Sequence, residues 1–571
     1  MLKLKKSKKT TSAVIAFTLI LGLGKTVALA EEVKKDVIAE HGVVSAAHPF
    51  AAQAGVEILK KGGNAFDAAI ATSFMLNVVE PHTSGVGGGG FAMIYVAKEK
   101  KAYMVDYREI APYAAQPDSY LDANGKVVPG KSTTGLYASG VPGHAKGMEF
   151  IAKKFGTMKL SELIAPAIKQ SEEGLPVYRV FNDALMSDLV RIEKYSSKED
   201  FERFKSIYFS KDGMPLQVGE TVKNKDITKT LKKLARYGSD VFYKGDIAEK
   251  ITDYYAKNGN SWITMKDLAD YQVSMREPVS VNYRGYELIT SAPPSSGGMA
   301  IAGILNLMEA YDVKSMGPES PEFAHKLIQA QKLSYADRAV FMADTDFVQV
   351  PQAGLMSKKY ADERRLLITD EVIEKYGPGN PNKYESGSTT SFSVVDKDGN
   401  MITVTQTING FFGSGVVIPG TGFLMNNEMD DFNTDAPKHV NAPEPKKKPL
   451  SSMSPTIVLK DGAPVMTLGS PGGPRIITTV AGVIMNVLDF DMDLQTAIDQ
   501  ARIYSPNSGV THLETPFSPE YLASLEKIGH KVKVYPKKVP YFGGVHGIKV
   551  LDDGKLHGAA DPRRFGQAAG Y

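Results

Sequence analysis

"TTSFSVVDKDGNMITVTQT" runs from Thr389 to Thr407. Two alternating runs flank "DKDG", which is the signature of a β-hairpin. A two-residue loop at Asp398-Gly399 would pair Thr389 with Ile408. A three-residue loop, Lys397-Asp398-Gly399 with glycine in the left-handed conformation, would pair Thr389 with Thr407. A one-residue slip exchanges the two faces of a strand, so side-chain chemistry chooses between them. In the three-residue register Thr389, Ser391 and Ser393 oppose Thr407, Thr405 and Thr403, while Phe392 and Val394 oppose Val404 and Ile402. That register sorts hydroxyls from hydrocarbons and is the one expected.

Thr403 and Thr405 need no explanation beyond the preference of threonine for strands. Thr389 is different, because it opens the strand after a Pro/Gly/Asn-rich stretch, "YGPGNPNKYESGS". A cut before it would leave a free α-amine beside its own hydroxyl. Such an amine titrates near pH ~7.7–8.0, where it can serve as a general base. Threonine activated by its own amine is an established type of nucleophile.

Working outward, the N-terminus carries Lys3, Lys5, Lys6, Lys8 and Lys9, then an apolar run from Ser12 to Gly24, then Ala28-Leu29-Ala30. This pattern predicts a secretory signal peptide cleaved after Ala30, and hence a secreted protein. No later stretch reaches the ~18 uninterrupted apolar residues of a membrane span. Removing the six lysines of residues 1–30 turns a net charge of +3 into −3. That balance gives no electrostatic reason to expect nucleic acid as a partner. The chain has no cysteine, which excludes disulfides, thiol catalysis and cysteine-ligated metal. The histidines form no metal-ligand spacing, and no metal or cofactor is expected.

The rest of the chain predicts a mixed α/β protein. "HGVVSAAHPF…" (from His41) predicts a short strand and two amphipathic helices, and Phe91–Val96 with Ala102–Tyr107 a strand pair. Residues 147 to about 370 are mostly helical. "VSVNYRGYELITS" predicts a hairpin turning at Arg284-Gly285. Strands around Ile457 and Val465 and a helix from Ile476 follow. Gly377–Ser388 is the strongest linker. "GKVVPGKS" (Gly125–Ser132) matches a phosphate-binding loop in letters, but it lacks the strand before and the helix after that the chemistry needs. "GVGGGG" (Gly85–Gly90) follows a helix and precedes a strand, the reverse of a dinucleotide loop, so its glycines are expected to permit close backbone approach. Ser470 in "GSPGG" lacks nucleophile-elbow spacing and is expected to be structural.

"TTSFSVVDKDGN", "TQTIN", "NNEMDDF", "PLSSMSPT" and "GSPGGPRIITT" closely resemble the γ-glutamyltransferases (γ-glutamyl transpeptidases, or glutathione hydrolases), which are N-terminal-nucleophile hydrolases. "GGNAFDAAIA", "VDYREIAP" and the terminal "ADPRRFGQAAGY" extend the resemblance over the mature chain. It implies an αββα sandwich made from one precursor, cut into a large subunit (31–388) and a small subunit (389–571) that remain associated as a heterodimer. By the same resemblance Thr389 is the nucleophile, Thr407 its hydroxyl partner, and Gly472 and Gly473 the oxyanion hole. A Pro-Gly-Gly-Pro turn opening a helix suits that last role. Arg108, Ser451 and Ser452 would hold the α-carboxylate of a γ-glutamyl group, and Asn409, Glu428 and Asp431 its α-ammonium. Glutathione and other γ-glutamyl compounds are the implied donors, and water, amino acids or peptides the acceptors.

Where many relatives have histidine two positions after the nucleophile, this chain has Ser391. The Asn433–Lys448 segment is shorter than the pocket-covering loop of many relatives, so an open pocket is expected. Lys446, Lys447 and Lys448 would stand at its mouth or form a solvated charge run. Two other readings remain open: a poly-γ-glutamate depolymerase or related acylase on the same fold, and a secreted solute-binding protein without chemistry.

Overall fold

The computed structural model describes residues 35–379, 390–536 and 538–571. The expected signal peptide, the Ser388–Thr389 bond and Thr389 itself lie outside the described residues, as does most of the expected Gly377–Ser388 linker.

The hairpin adopts the three-residue register. Thr390 pairs with Gln406, Ser391 with Thr405, Phe392 with Val404, Ser393 with Thr403 and Val394 with Ile402. Gly399 takes a left-handed φ of 80°, and its N–H donates to the Asp396 carbonyl at 3.1 Å. The Asp396 carboxylate accepts from the N–H groups of Asp398 and Asn400 inside the turn. It also accepts from the Ala65 N–H at 2.8 Å, which locks the turn to the start of a helix.

Both hairpin strands, Thr390–Asp396 and Met401–Thr407, lie in the interior of a seven-stranded antiparallel sheet. Across that sheet the order is Gln567–Gly570, Gly42–Ala46, Thr390–Asp396, Met401–Thr407, Gly89–Val96, Lys101–Asp106, Ser274–Arg276. A second seven-stranded sheet runs Val37–Ala39, Leu556–Ala560, His546–Val550, Ala463–Gly469, Thr456–Lys460, Tyr286–Thr290, Val279–Tyr283. Phe392, Val394, Ile402 and Val404 pack into one core with helices Pro49–Lys60 and Ala65–Val79. On the other face Ser393 Oγ donates to the His546 carbonyl at 2.9 Å, and Ser45 Oγ to that of Ala559 at 2.6 Å, so hydroxyls join sheet to sheet. Helices Gly297–Glu309, Pro321–Phe341 and Arg475–Leu488 share the core of the second sheet. The result is the four-layer αββα sandwich.

The expected strand pair, the hairpin at Arg284-Gly285 and the helix from Ile476 are all present. One expectation fails. Helix Ala65–Val79 is not amphipathic, since all of its residues are buried. It is covered by the sheet on one side and by helix Leu160–Glu173 on another, so no face meets water. In "GKVVPGKS", Ser132 Oγ donates to Asp430 at 2.7 Å, and the run leads into a single 3-10 turn, Leu136–Ala138, with no α-helix before His144.

The "GVGGGG" run behaves as close packing requires. A Cβ on Gly87 would sit 2.2 Å from the Leu424 carbonyl oxygen, on Gly88 1.9 Å from that of Thr407, and on Gly90 2.5 Å from that of Thr405. The run therefore presses directly on the strand that carries Thr407. Gly88→Ala should displace the Thr407 carbonyl, because the obstacle is backbone and cannot swing aside. The expected cost is ~1–3 kcal/mol, read as a lowered Tm. Activity should fall by more than the lost folded fraction explains, and a wild-type Tm and rate would refute the close approach.

Candidate active site

Thr407 ends its strand, and the chain turns at Asn409, which has a left-handed φ of 69°, a conformation asparagine tolerates. The Asn409 N–H donates to Thr407 Oγ1 at 2.7 Å, and Asn409 Nδ2 to the Asn427 carbonyl at 3.0 Å. The Asn427 N–H returns a bond to the Ile408 carbonyl. Asn426 fixes the same loop, its Nδ2 donating to the carbonyls of Gly87 and Gly140 and its Oδ1 accepting from the Glu428 N–H. The 3-10 turn Glu428–Asp431 is thereby set beside the end of the Thr407 strand.

Arg108 follows strand Lys101–Asp106 and is buried. Its Nη1 lies 2.7 Å from Glu428 and its Nη2 2.5 Å from Asp431. Nη2 also donates to the Leu450 carbonyl at 3.0 Å. Glu109 stands 3.8 Å from the same guanidinium. One cation thus faces three carboxyl groups. Burial pushes Glu428 up to about 8 despite the opposing charge of Arg108, and it pushes Glu109 to about 8 as well. Burial alone would weaken the charge on Arg108, but Glu428, Asp431 and Glu109 hold its pKa above the ordinary value.

Ser451 and Ser452 follow Leu450 directly and are buried. Ser451 Oγ accepts from the Met453 N–H, and Ser452 Oγ accepts from Arg338 Nη2 at 2.7 Å. Arg338 Nε donates to Ser296 Oγ, which itself donates to the Ser451 carbonyl. Gly472 and Gly473 come from the other sheet. Strand Ala463–Gly469 ends just before them, and a Cβ on Gly469 would lie 2.5 Å from Ser391 Oγ and 3.3 Å from Thr405 Oγ1. Both glycines have positive φ, 130° and 57°, and they immediately precede helix Arg475–Leu488. A Cβ on Gly472 would strike the Gly543 backbone at 2.9 Å. Ser470 accepts from the Gly544 N–H and so pins this turn, in keeping with a structural role.

Of the residues singled out in the sequence, Arg108, Glu428 and Asp431 are in direct contact, Thr407 and Asn409 are bonded to each other, and Ser451 and Ser452 flank them through Leu450. Sequence reasoning missed Glu109 and Arg338. Glu109 was legible only as the neighbour of Arg108. Arg338 sits inside a helix pattern that gave it no distinction.

The lysine run corrects another expectation. Lys447 and Lys448 neither line a mouth nor form a solvated run. Lys447 is buried on Glu444 at 2.6 Å, and Lys448 is buried on Asp106 at 2.6 Å. The Lys448 N–H donates to Asp344. Only Lys446 is exposed, over the Tyr113 ring. Glu444 is a local partner, three residues before Lys447, but Asp106 and Asp344 come from distant segments, so local charge density gave no hint of them. The Asn433–Lys448 segment is closed on itself by the Asn433 N–H on the Asn441 carbonyl, and its C-terminal end is tied through Lys446 and Lys447 to Ala111.

The sequence model described as Gamma-glutamyltranspeptidase matches residues 51–571. The chain belongs to the γ-glutamyltranspeptidase family. It is 41% identical to the glutathione hydrolase proenzyme of Escherichia coli (strain K12), over 95% of this chain and 94% of that one. It is 38% identical to the glutathione hydrolase proenzyme of Bacillus subtilis (strain 168), over 95% and 93%. Among solved structures it superposes on a cephalosporin acylase from Bacillus halodurans with a TM-score of 0.87 and 30% identity, covering 94% of this chain and 97% of that one. The transpeptidase fold and the N-terminal-nucleophile architecture are therefore common to this chain and its relatives. Among the described residues no helix is long and apolar enough to cross a membrane.

Burial of Lys448 makes a direct prediction. Lys448→Ala leaves Asp106, fully buried, with Arg276 as its remaining cation. Burial would raise the Asp106 pKa, and Lys448 and Arg276 together hold it below its ordinary value. Breaking one arm of a buried pair should cost ~3–5 kcal/mol, measured by thermal or denaturant unfolding at pH 7. Lys446→Ser should stay within ~0.5 kcal/mol of wild type.

Proposed function

We propose that this protein is an exported γ-glutamyltransferase and glutathione hydrolase, made as a precursor that cuts itself before Thr389 into residues 31–388 and 389–571. Thr389 Oγ attacks the γ-amide carbonyl of glutathione or another γ-glutamyl compound. The Thr389 α-amine takes the hydroxyl proton, and Thr407 supports the hydroxyl. The oxyanion rests on the N–H groups of Gly472 and Gly473. Protonation of the leaving amine releases it, and the γ-glutamyl ester passes to water or to an amino acid or peptide. No step calls for a cofactor.

The observation that carries this reading is the cluster of Arg108 with Glu428 and Asp431 beside Thr407. A γ-glutamyl group brings one carboxylate and one ammonium. Arg108, with Ser451 and Ser452, suits the carboxylate, and Asn409, Glu428 and Asp431 suit the ammonium. The guest brings one charge of each sign and so adds no net charge of its own to groups that are already paired. The likeness to a cephalosporin acylase favours an acylase as the second reading. An acyl group lacking either charge would have to desolvate this cluster without compensation, which is costly. That disfavours the acylase. A solute-binding protein would have no use for a cut before Thr389.

Mass spectrometry of the purified protein should find two fragments, the smaller beginning at Thr389. Thr389→Ala should remain one inactive chain. A fully active, uncut wild-type chain would overturn the proposal.

The pH dependence separates binding from chemistry. Burial keeps protons on Glu428 and Glu109 until about pH 8, and only the ionised carboxylate is a strong partner for an ammonium. Free L-glutamate has both charges and no γ-amide to cleave. Its inhibition constant should fall severalfold from pH 7 to 8.5, and Glu428→Gln should flatten that change. The kcat should instead follow the α-amine, near pH ~7.7–8.0. An inhibition constant independent of pH would refute the charged acceptor.

A further inference from the structure

Residues Glu80 to Ser84 form a turn after helix Ala65–Val79. The Glu80 carbonyl accepts from the N–H groups of Thr83 and Ser84 and closes it. The turn touches both strands of the central hairpin. Its backbone holds the second strand's exit, because the Ile408 N–H donates to the Thr83 carbonyl at 3.2 Å and the Phe412 N–H to that of His82 at 2.9 Å. Ser84 Oγ accepts from Gln406 Nε2. Its one carboxylate holds the first strand's entry. Glu80 Oε2 accepts from Thr390 Oγ1 at 2.6 Å and from Thr83 Oγ1 at 3.2 Å. Glu80 and Thr390 are both completely buried. The charge of buried Arg564 acts on the same carboxyl.

A cut before Thr389 would make Thr390 the second residue of its chain. Chain ends fray unless they are tied down, and Thr390↔Gln406 is the outermost pair described in this ladder. A nucleophile must nevertheless be held within a fraction of an ångström of its productive position. Backbone pairing alone leaves a terminal residue free to pivot. A side-chain anchor on its neighbour, reaching into the opposite layer, removes that freedom.

We propose that Glu80 is a positioning residue for the reaction, and that its hydrogen bond from Thr390 fixes the N-terminal end of the nucleophile strand relative to Thr407. The inference rests on the reading of Thr389 as the nucleophile. Glu80 touches neither substrate nor reacting atoms. It acts through Thr390, and the same turn grips the residue after Thr407, so one rigid loop sets the spacing of the two threonines.

The test uses the full-length processed enzyme and a γ-glutamyl anilide. Thr390→Val keeps the branched shape and removes the donor, and Thr390→Ser keeps the donor. The kcat per two-fragment enzyme should fall at least tenfold in Thr390→Val. The KM and the inhibition constant of L-glutamate should stay within about twofold, because the Arg108 cluster is untouched. Thr390→Ser should recover at least half of the lost rate. Glu80→Gln, which retains a carbonyl acceptor, should exceed Glu80→Leu in kcat. If Thr390→Val lowers only Tm or yield, with kcat per processed enzyme unchanged, the bond is merely structural and the proposal is overturned. If the wild-type chain is not cut before Thr389, the underlying reading fails and takes the anchor with it. A cut chain in which Thr390→Val keeps wild-type kcat sinks the anchor alone.

Discussion

The central hairpin is buried on both faces, and the two faces are held by different chemistry. Phe392, Val394, Ile402 and Val404 meet helices, while Ser391, Ser393, Thr403 and Thr405 meet a second sheet. A slip of one residue would drive hydroxyls into hydrocarbon and hydrocarbon against Gly469. Each misplaced hydroxyl would cost on the order of 1–3 kcal/mol. The register is therefore fixed from two directions at once. Everything else is placed relative to it: the glycine run on Thr407, the Glu80 turn on both strand ends, and the Gly472-Gly473 turn at the end of the strand beneath.

Beside this rigid frame the site concentrates charge. Arg108 is surrounded by Glu109, Glu428 and Asp431 in a buried place. Such a cluster is a poor way to stabilise a fold, since desolvation offsets much of the attraction. Under the proposed function it would suit a small zwitterion, because each charge of such a guest would meet groups already positioned for it. Arg338 extends the arrangement through Ser452 and Ser296, which holds the serine pair in place.

The hairpin register was legible because period-two alternation carries face information directly, and the glycine run because four successive glycines have few uses other than close approach. The individual site residues were not legible from pattern alone. Arg108 and Asp431 are ordinary residues until other segments come into view, and it was their order along the chain, shared with a family, that singled them out. Lys447 and Lys448 show the reverse failure. Three lysines in a row imply solvent, yet Glu444 and Asp106 bury two of them. Asp106 is more than three hundred residues away in sequence, and no local rule reaches that far. Helix Ala65–Val79 was misjudged for a related reason: the number of layers packed on an element is a property of the whole fold.

The strand order also explains how a cut chain would hold together without cysteine. In the first sheet, strand Thr390–Asp396 lies between Gly42–Ala46 and Met401–Thr407, and Met401–Thr407 in turn pairs with Gly89–Val96. Gly42–Ala46 is itself flanked by Gln567–Gly570. Segments from before and after Thr389 are thus interleaved in the sheet and meet at three of its strand pairings. The second sheet repeats this, with Val37–Ala39 on Leu556–Ala560 and Tyr286–Thr290 on Thr456–Lys460. A break before Thr389 would remove one covalent bond and leave every ladder in place. Separating the halves would require unzipping both sheets and exposing both cores, which amounts to global unfolding. The interleaved topology supplies the linkage that a disulfide would supply elsewhere, and a terminus created before Thr389, as proposed, would be free to act without loosening the site around it.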